Sequence, residues 1–196
     1  MGIKRTSEDL KKSAAKAVIA LQGLPVYTGL RKLFSPKIHI QEASASDWRQ
    51  VHEILNPGSS EPPPPPGVQS TDFVAKRGDK VIGHVQLVQA PERFDLPAGW
   101  WLFSLGVRLK FRRMGVGEQL ALQVLEAAHE RGAPDLYLLV YEDNLPAVRL
   151  YEKLGFEQRI FPEMEVELEK ERSRFGRRRI VMVSSLPAAK ELGIQG

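Results

Sequence analysis

The chain has no cysteine, so neither a disulfide framework nor a thiolate metal site can be built from it. Its histidines, His39, His52, His84 and His129, are scattered with no pair at metal-ligand spacing, which argues against zinc. No apolar run approaches the roughly 18 residues of a membrane span. Ala14 to Leu21 is too short, and carries Lys16, for a secretory signal, so the expected location is the cytoplasm. No internal repeat is visible. What remains, 42% hydrophobic and 27% charged over 196 residues, is the composition of one globular domain with an extension.

An isoelectric point near 9.4 suggests an acidic partner until the charges are placed. Residues 1–37 hold Lys4, Arg5, Lys11, Lys12, Lys16, Arg31, Lys32 and Lys37 against Glu8 and Asp9, a balance of +6, whereas the whole chain carries +4. Residues 38–196 are therefore mildly acidic at −2. Residues 7–22 read as an amphipathic helix capped by Thr6 or Ser7 and ended by Gly23 and Pro25. Its apolar stripe of Leu10, Ala14, Ala17 or Val18, and Leu21 is thin and few aromatics accompany its lysines. That favours docking on its own body or on a second copy in a homodimer over a grip on nucleic acid or an anionic membrane.

The densest signal is a stretch without acids. From Leu105 to Gly117 the chain reads Leu-Gly-Val-Arg-Leu-Lys-Phe-Arg-Arg-Met-Gly-Val-Gly, and the first carboxylate is Glu118. Apolar alternation over Trp101 to Leu109 predicts a strand before the turn. Leu120, Ala121, Val124, Leu125 and Ala128 predict a helix after it, stopped by Gly132 and Pro134. Gly115 and Gly117 allow several amides to point one way at a helix N-terminus, which makes an anion cradle suited to phosphate or pyrophosphate. A Walker loop would need Lys-Ser/Thr where Glu118 and Gln119 stand. A dinucleotide fingerprint would need a small residue at Leu120 and an acid near Tyr137.

Downstream, Asp135 to Tyr141 predicts a short strand, and a helix follows with Asn144 at its N-cap and Pro146 in its first turn. Ala147, Leu150, Tyr151 and Leu154 form its stripe, Gly155 takes the left-handed end, and Phe156 folds back on Leu150 or Tyr151. Arg112-x-x-Gly115-x-Gly117 resembles the acetyl-CoA pyrophosphate motif of the GNAT superfamily of acyl-CoA-dependent N-acyltransferases. Asn144-x-x-Ala147-x-x-x-Tyr151-x-x-x-Gly155-Phe156 resembles that superfamily's second motif, at the expected distance downstream. The likeness covers residues 38–185, between the 1–37 extension and a 186–196 tail. It implies an α+β (mixed α/β) single domain: a mostly antiparallel mixed sheet of about six to seven strands, splayed at a coenzyme cleft, flanked by helices. The N-terminal helix is an addition to it.

The resemblance also implies a chemistry. Acetyl-CoA would be the co-substrate, with no metal, and an acetyl group would pass to a primary amine by direct attack in a ternary complex. Amides of Arg113, Met114, Gly115, Val116, Gly117 and Glu118 would hold the pyrophosphate, with Arg112 adding charge. The pantetheine arm would run along Leu105, Gly106, Val107 and Leu109, with an N–H near Val107 polarising the acyl carbonyl. Tyr151 would protonate the departing sulfur, and Asn144, two helical turns earlier, would bond the arm. The base is missing: Trp-Trp-Leu-Phe-Ser-Leu-Gly-Val, the strand before the turn, lacks the Glu many relatives carry there. Ser104 could at most order a water, Glu92, Glu142, Asp143 and His84 are candidates by rough proximity, and a water chain is the other route. Leu109 and Arg113 also replace the family's usual Pro and Gly. The missing base keeps a non-catalytic acyl-CoA-binding regulator as an alternative, and a nucleic-acid-associated modifier recruited through residues 1–37 as a third.

The rest of the chain completes the expectation. Ile38 to Gln41 is a short strand, and Ser46-Asp47-Trp48 opens a helix to about Leu55. Pro62 to Pro66 reads as a rigid surface loop, which the resemblance places beside the acceptor. Asp72 to Lys76 and Lys80 to Val88 flank Arg77-Gly78-Asp79 as a hairpin. One of Trp100 and Trp101 should face the core, and Gly106 fits a bulge. Finally, Glu163, Glu165, Glu167, Glu169 and Glu171 alternate with Met164, Val166 and Leu168, which predicts a strand with one solvated acidic face. A loop of Arg174-Phe175-Gly176 would return it as a hairpin, with Glu171 opposite Arg179 and the apolar side sharing a face with Ile180 and Met182.

Overall fold

The computed structural model describes residues 38–57, 70–91 and 97–186. The expected helix at 7–22, the Pro62–Pro66 run, Glu92 and residues 187–196 lie outside the described residues. In chain order the elements are β1 (His39–Glu42), α1 (Trp48–Leu55), β2 (Ser70–Arg77), β3 (Lys80–Ala90), β4 (Gly99–Val107), α2 (Val116–Glu130), β5 (Asp135–Tyr141), α3 (Leu145–Lys153), β6 (Glu157–Gln158), α4 (Pro162–Phe175) and β7 (Arg179–Ser185). The seven strands form one sheet in the order β1-β2-β3-β4-β5-β7-β6. Every neighbouring pair is antiparallel except β4 with β5.

Each face of the sheet buries its own helices. The apolar stripe of α2, Leu120, Ala121, Val124 and Leu125, joins Val85, Leu87, Leu136 and Met182 in the larger core. On the other face Val51 of α1 packs with Val74 and Val81. Met164 and Leu168 of α4 pack there with Trp101, Val181 and Val183. The split of β7 between the two cores, Ile180 and Met182 on one side and Val181 and Val183 on the other, follows from the two-residue period of a strand.

The parallel pair is short. β4 and β5 are in register only from Trp100↔Leu136 to Leu102↔Leu138. An aromatic stack closes that end: Trp101 lies 5.1 Å from Tyr137 and 5.7 Å from Phe103, and Phe161 meets Tyr137 edge-on at 5.9 Å. Trp101 is the indole that is fully buried, while Trp100 is half-exposed. Past Leu102 the strand carries a bulge. Phe103 pairs with Gln86 and Gly106 with His84, so Ser104 and Leu105 together stand opposite Val85. Gly106 is small for a reason other than the bulge: a Cβ there would lie 2.8 Å from Ile54 Cγ2 of α1.

One expectation is corrected. Residues 162–175 are a helix, not the first strand of an acidic hairpin. Pro162 occupies its first turn, Gly176 ends it at φ 68°, and Glu163 and Glu165 near the N-terminus with Arg172 and Arg174 near the C-terminus complement its dipole. Met164 and Leu168, four apart, are buried, while Val166 is 61% exposed. The carboxylates are distributed around the helix, in pairs such as Glu165–Arg178 and Glu167–Lys170. Glu171 does meet Arg179, at 2.7 Å, but from a helix and not across a ladder. The first strand of the splayed region also begins and ends two residues early, with Leu109 to Phe111 forming a 3₁₀ turn.

Helix and strand readings of α4 make opposite predictions for neighbouring apolar positions. Leu168→Ala should cost about 2–4 kcal/mol in urea unfolding, whereas Val166→Ala should stay within roughly 0.5 kcal/mol of the parent. Equal losses at the two positions would contradict the helix.

Candidate active site

The turn expected to hold an anion is built at the junction of β4 and α2. Phe111 N–H closes a 3₁₀ turn on Arg108 O at 2.8 Å, and Phe111 is buried, which anchors the segment. The chain then reverses through two left-handed residues, Arg113 at φ 61° and Gly115 at φ 78°. Gly115 is the N-cap of α2, and Gln119 N–H to Gly115 O at 3.0 Å is the first bond of the helix. The amides of Val116, Gly117 and Glu118 precede that bond and have no acceptor inside the helix.

Nothing among the described residues requires Gly117 to be glycine. A Cβ there would meet nothing nearer than Leu150 Cδ2 and Val107 Cγ2, both at 3.7 Å, which is ordinary contact. Glycine inside a helix costs about 1 kcal/mol against alanine. Its bare backbone lies between the end of β4 and α3, so an approaching ligand gains what the helix loses. Glu118 would oppose an anion there, but Lys153 Nζ holds both its oxygens, at 2.7 and 2.8 Å. Arg112 lies back along the strand end, its Nε donating to Val107 O at 3.0 Å.

That bond also fixes the direction of the β4 main chain. Arg108 N–H bonds to Ile82 O on β3 at 2.9 Å, so strand alternation turns Val107 and Leu105 toward the opposite edge, where β5 has parted. Gly117 of the turn lies beside Val107 of β4 and Leu150 of α3, so these three elements meet where the coenzyme cleft is expected. Leu109 is 77% exposed.

On α3, Tyr151 is 6% exposed and meets Phe156 edge-on at 5.7 Å, the fold-back that Gly155 at φ 87° permits. Burial pushes its phenol up to about 12. Among the described residues nothing accepts its hydroxyl proton. Asn144 occupies the N-cap position with its main-chain carbonyl, 2.9 Å from Ala147 N and 3.0 Å from Val148 N. Its side chain makes no capping bond and has no hydrogen-bond partner among the described residues, which differs from the cap expected of it.

The candidate bases fare differently. Asp143 is held bidentate by Arg177 at 2.7 and 2.9 Å, and that hydrogen bond keeps its carboxyl below the usual carboxylate range. Glu142 is exposed, its main-chain N–H bonded to Arg178 O. His84 is buried on β3 with both ring nitrogens engaged, Nε2 at 2.7 Å from Asp72 Oδ1 and Nδ1 at 3.3 Å from Ser104 O. Asp72 and the left-handed Ser104 (φ 55°) are the neighbours that sequence inspection misses. On the α4 side, a cavity of about 500 Å³ opens beside the parted strands, lined by Phe103, Leu139, Met164, Leu168, Glu167 and Glu171 among others.

Comparison with known proteins shows the family and the fold. A family model for GNAT acetyltransferases matches residues 40–156, more than half of the chain. Over 84 residues the sequence is 37% identical to a mycothiol acetyltransferase of Thermomonospora curvata, covering 43% of this chain and 27% of that protein. It is 32% identical over 96 residues to an N-alpha-acetyltransferase of Sulfurisphaera tokodaii, covering 44% of this chain and 56% of the relative. The chain thus spans about a quarter of the first of these relatives and little over half of the second. In fold it is similar to the ribosomal-protein-S18-alanine N-acetyltransferase from Escherichia coli, with TM-score 0.56 and 19% identity over 78% of this chain and 96% of that one. It is similar also to a streptothricin-acetyltransferase-like protein from Bacillus anthracis strain Ames, solved in complex with acetyl coenzyme A. There the TM-score is 0.58 at 19% identity, over 77% of this chain and 98% of that one. Since the matched span runs from β1 through Phe156 and takes in the turn, the parted strands and α3 together, the chain belongs to the acetyltransferase (GNAT) family.

Proposed function

We propose that the chain is an N-acetyltransferase that moves an acetyl group from acetyl-CoA to a primary amine of a small molecule or protein within a ternary complex. The observation that carries this reading is the meeting of a parted strand edge with a glycine-opened helix N-terminus. One element would offer main-chain donors to a carbonyl and the other to a diphosphate, and Gly117 beside Val107 brings the two together. Relatives named for N-alpha-acetylation and for alanine N-acetylation support an amine acceptor.

The residues divide the work as follows. Amides from Arg113 to Glu118, with the charges of Arg112 and Arg113, bind the anionic end of the coenzyme. The Asn144 amide, spare from capping, bonds its arm. Leu105 and Val107 main-chain donors face the carbonyl oxygen, where negative charge grows as the amine attacks. The coenzyme supplies the thioester, whose sulfur leaves as a thiolate. Tyr151, kept protonated through neutral pH by burial, gives its hydroxyl proton to that sulfur. Asp143 is tied to Arg177 and His84 to Asp72, so ordered water is the route by which the amine sheds its proton. The cavity beneath α4 is the acceptor's approach, its apolar floor carrying the body of the substrate and Glu167 and Glu171 standing near its amine.

Two variants test the cradle and the proton donor separately. Gly117→Glu should fold normally, since its Cβ meets nothing nearer than 3.7 Å and an acid suits a helix's first turn, yet bind no acetyl-CoA in calorimetry. Binding at the parent's affinity would remove the cradle. Tyr151→Phe should lower kcat by about 10- to 10³-fold in a thiol-release assay against a panel of amines, with acetyl-CoA affinity little changed. Full turnover in that variant would take the proton-transfer role from Tyr151.

A further inference from the structure

The parted edge of β4 depends on a backbone conformation that its own sequence does not favour. Ser104 sits at φ 55°, a left-handed geometry usually given to glycine. Its carbonyl is where the strand leaves its register with β3, so the residue that holds this carbonyl governs where Leu105 and Val107 point. The holder is His84. Its Nδ1 lies 3.3 Å from Ser104 O, and a carbonyl can only accept, so Nδ1 carries the proton of that bond. Its Nε2 lies 2.7 Å from Asp72 Oδ1. Both ring nitrogens therefore have a partner, one on the bulge and one on β2.

The pair is built, not incidental. His84 is 1% exposed and Asp72 7%, in a domain whose core is otherwise almost wholly apolar. Burying such a pair is expensive unless each polar atom is matched. The second Asp72 oxygen takes a long bond from Gln86 Nε2 at 3.4 Å, and Trp48 packs edge-on over the imidazole at 6.3 Å. The two side chains reach each other because the β2–β3 ladder slips by one residue between Ala75 and Lys76, which brings Asp72 opposite Gln86 and Val74 opposite His84. Without that slip Asp72 and His84 would project from opposite faces.

We infer that His84 and Asp72 are positioning residues. They clamp the Ser104 carbonyl, hold the left-handed bulge, and so aim the Leu105 and Val107 amides into the cleft. The inference adds to the reading of that cleft as the thioester site and rests on it for its catalytic consequence, but the clamp itself is a property of the free protein.

Glycine adopts positive φ without help, so Ser104→Gly should make the clamp dispensable. The test compares the paired variant Asp72→Leu/His84→Leu, apolar and of similar volume, with the same variant carrying Ser104→Gly. Amide exchange at Gly106 and Arg108 is followed without ligand, and thiol release with acetyl-CoA and a reactive amine. Loss of the clamp should speed exchange there by about 10-fold or more. It should lower kcat by roughly 10- to 100-fold with KM for acetyl-CoA nearly unchanged, and Ser104→Gly should recover most of both losses. Parental exchange in the paired variant, or no recovery on adding Ser104→Gly, overturns the clamp. If the paired variant does not fold, exposed Ser104→Val decides, because a β-branched residue resists positive φ. Its kcat should fall with KM unchanged, and a parental kcat overturns the proposal. Exchange that rises and recovers in a protein that turns over no amine would uphold the clamp and dismiss the acetyltransferase reading instead.

Discussion

Two adjacent parallel strands that stop pairing after three residues define this molecule. Trp100 to Leu102 and Leu136 to Leu138 are in register, and beyond them the sheet opens. Main-chain donors and acceptors left unpaired inside a domain are costly, and they are tolerated where a ligand or water completes them. The aromatic stack of Trp101, Tyr137 and Phe161 secures the closed end, and the bulge at Ser104 carries β4 off the line of its neighbour. The first turn of α2 lies beside Val107 at the far end of β4, so its leading amides stand next to that strand's parted edge.

Electrostatics favour an anion at that N-terminus. Arg112 and Arg113 flank the turn, and the Glu118 carboxylate is drawn toward Lys153 on α3. That ion pair is exposed and adds little stability by itself. It spans from the first turn of α2 to α3, whose place is set by the burial of Tyr151 and Leu154 in the larger core. The basic character of the whole chain plays no part in this: it resides in residues 1–37, and the body is mildly acidic.

What could be read from the residues was what is encoded locally. The turn, α3 and its Gly155-Phe156 ending each fit within about a dozen residues, with glycines and caps at fixed offsets. α4 could not be read that way. Glu163 to Glu169 alternates perfectly with apolar residues, yet Met164 and Leu168 are also four apart, and Pro162 in a first turn decides for the helix. The Asp72–His84 pair was hidden for a different reason. A plain hairpin around Gly78 and Asp79 keeps the two on opposite faces, and only the slip at Ala75 and Lys76, invisible in composition, reunites them. Ser104 gave no sign at all, since nothing about a serine announces a left-handed backbone.

The central claim is that the free amides of α2's first turn and those of the β4 edge serve one ligand. Backbone amide chemical shifts, followed as acetyl-CoA is added, test it most directly. The account predicts that Val116, Gly117 and Glu118 shift together with Leu105 and Val107 at a common midpoint. Shifts confined to residues beneath α4, or two groups moving with separate midpoints, would contradict it.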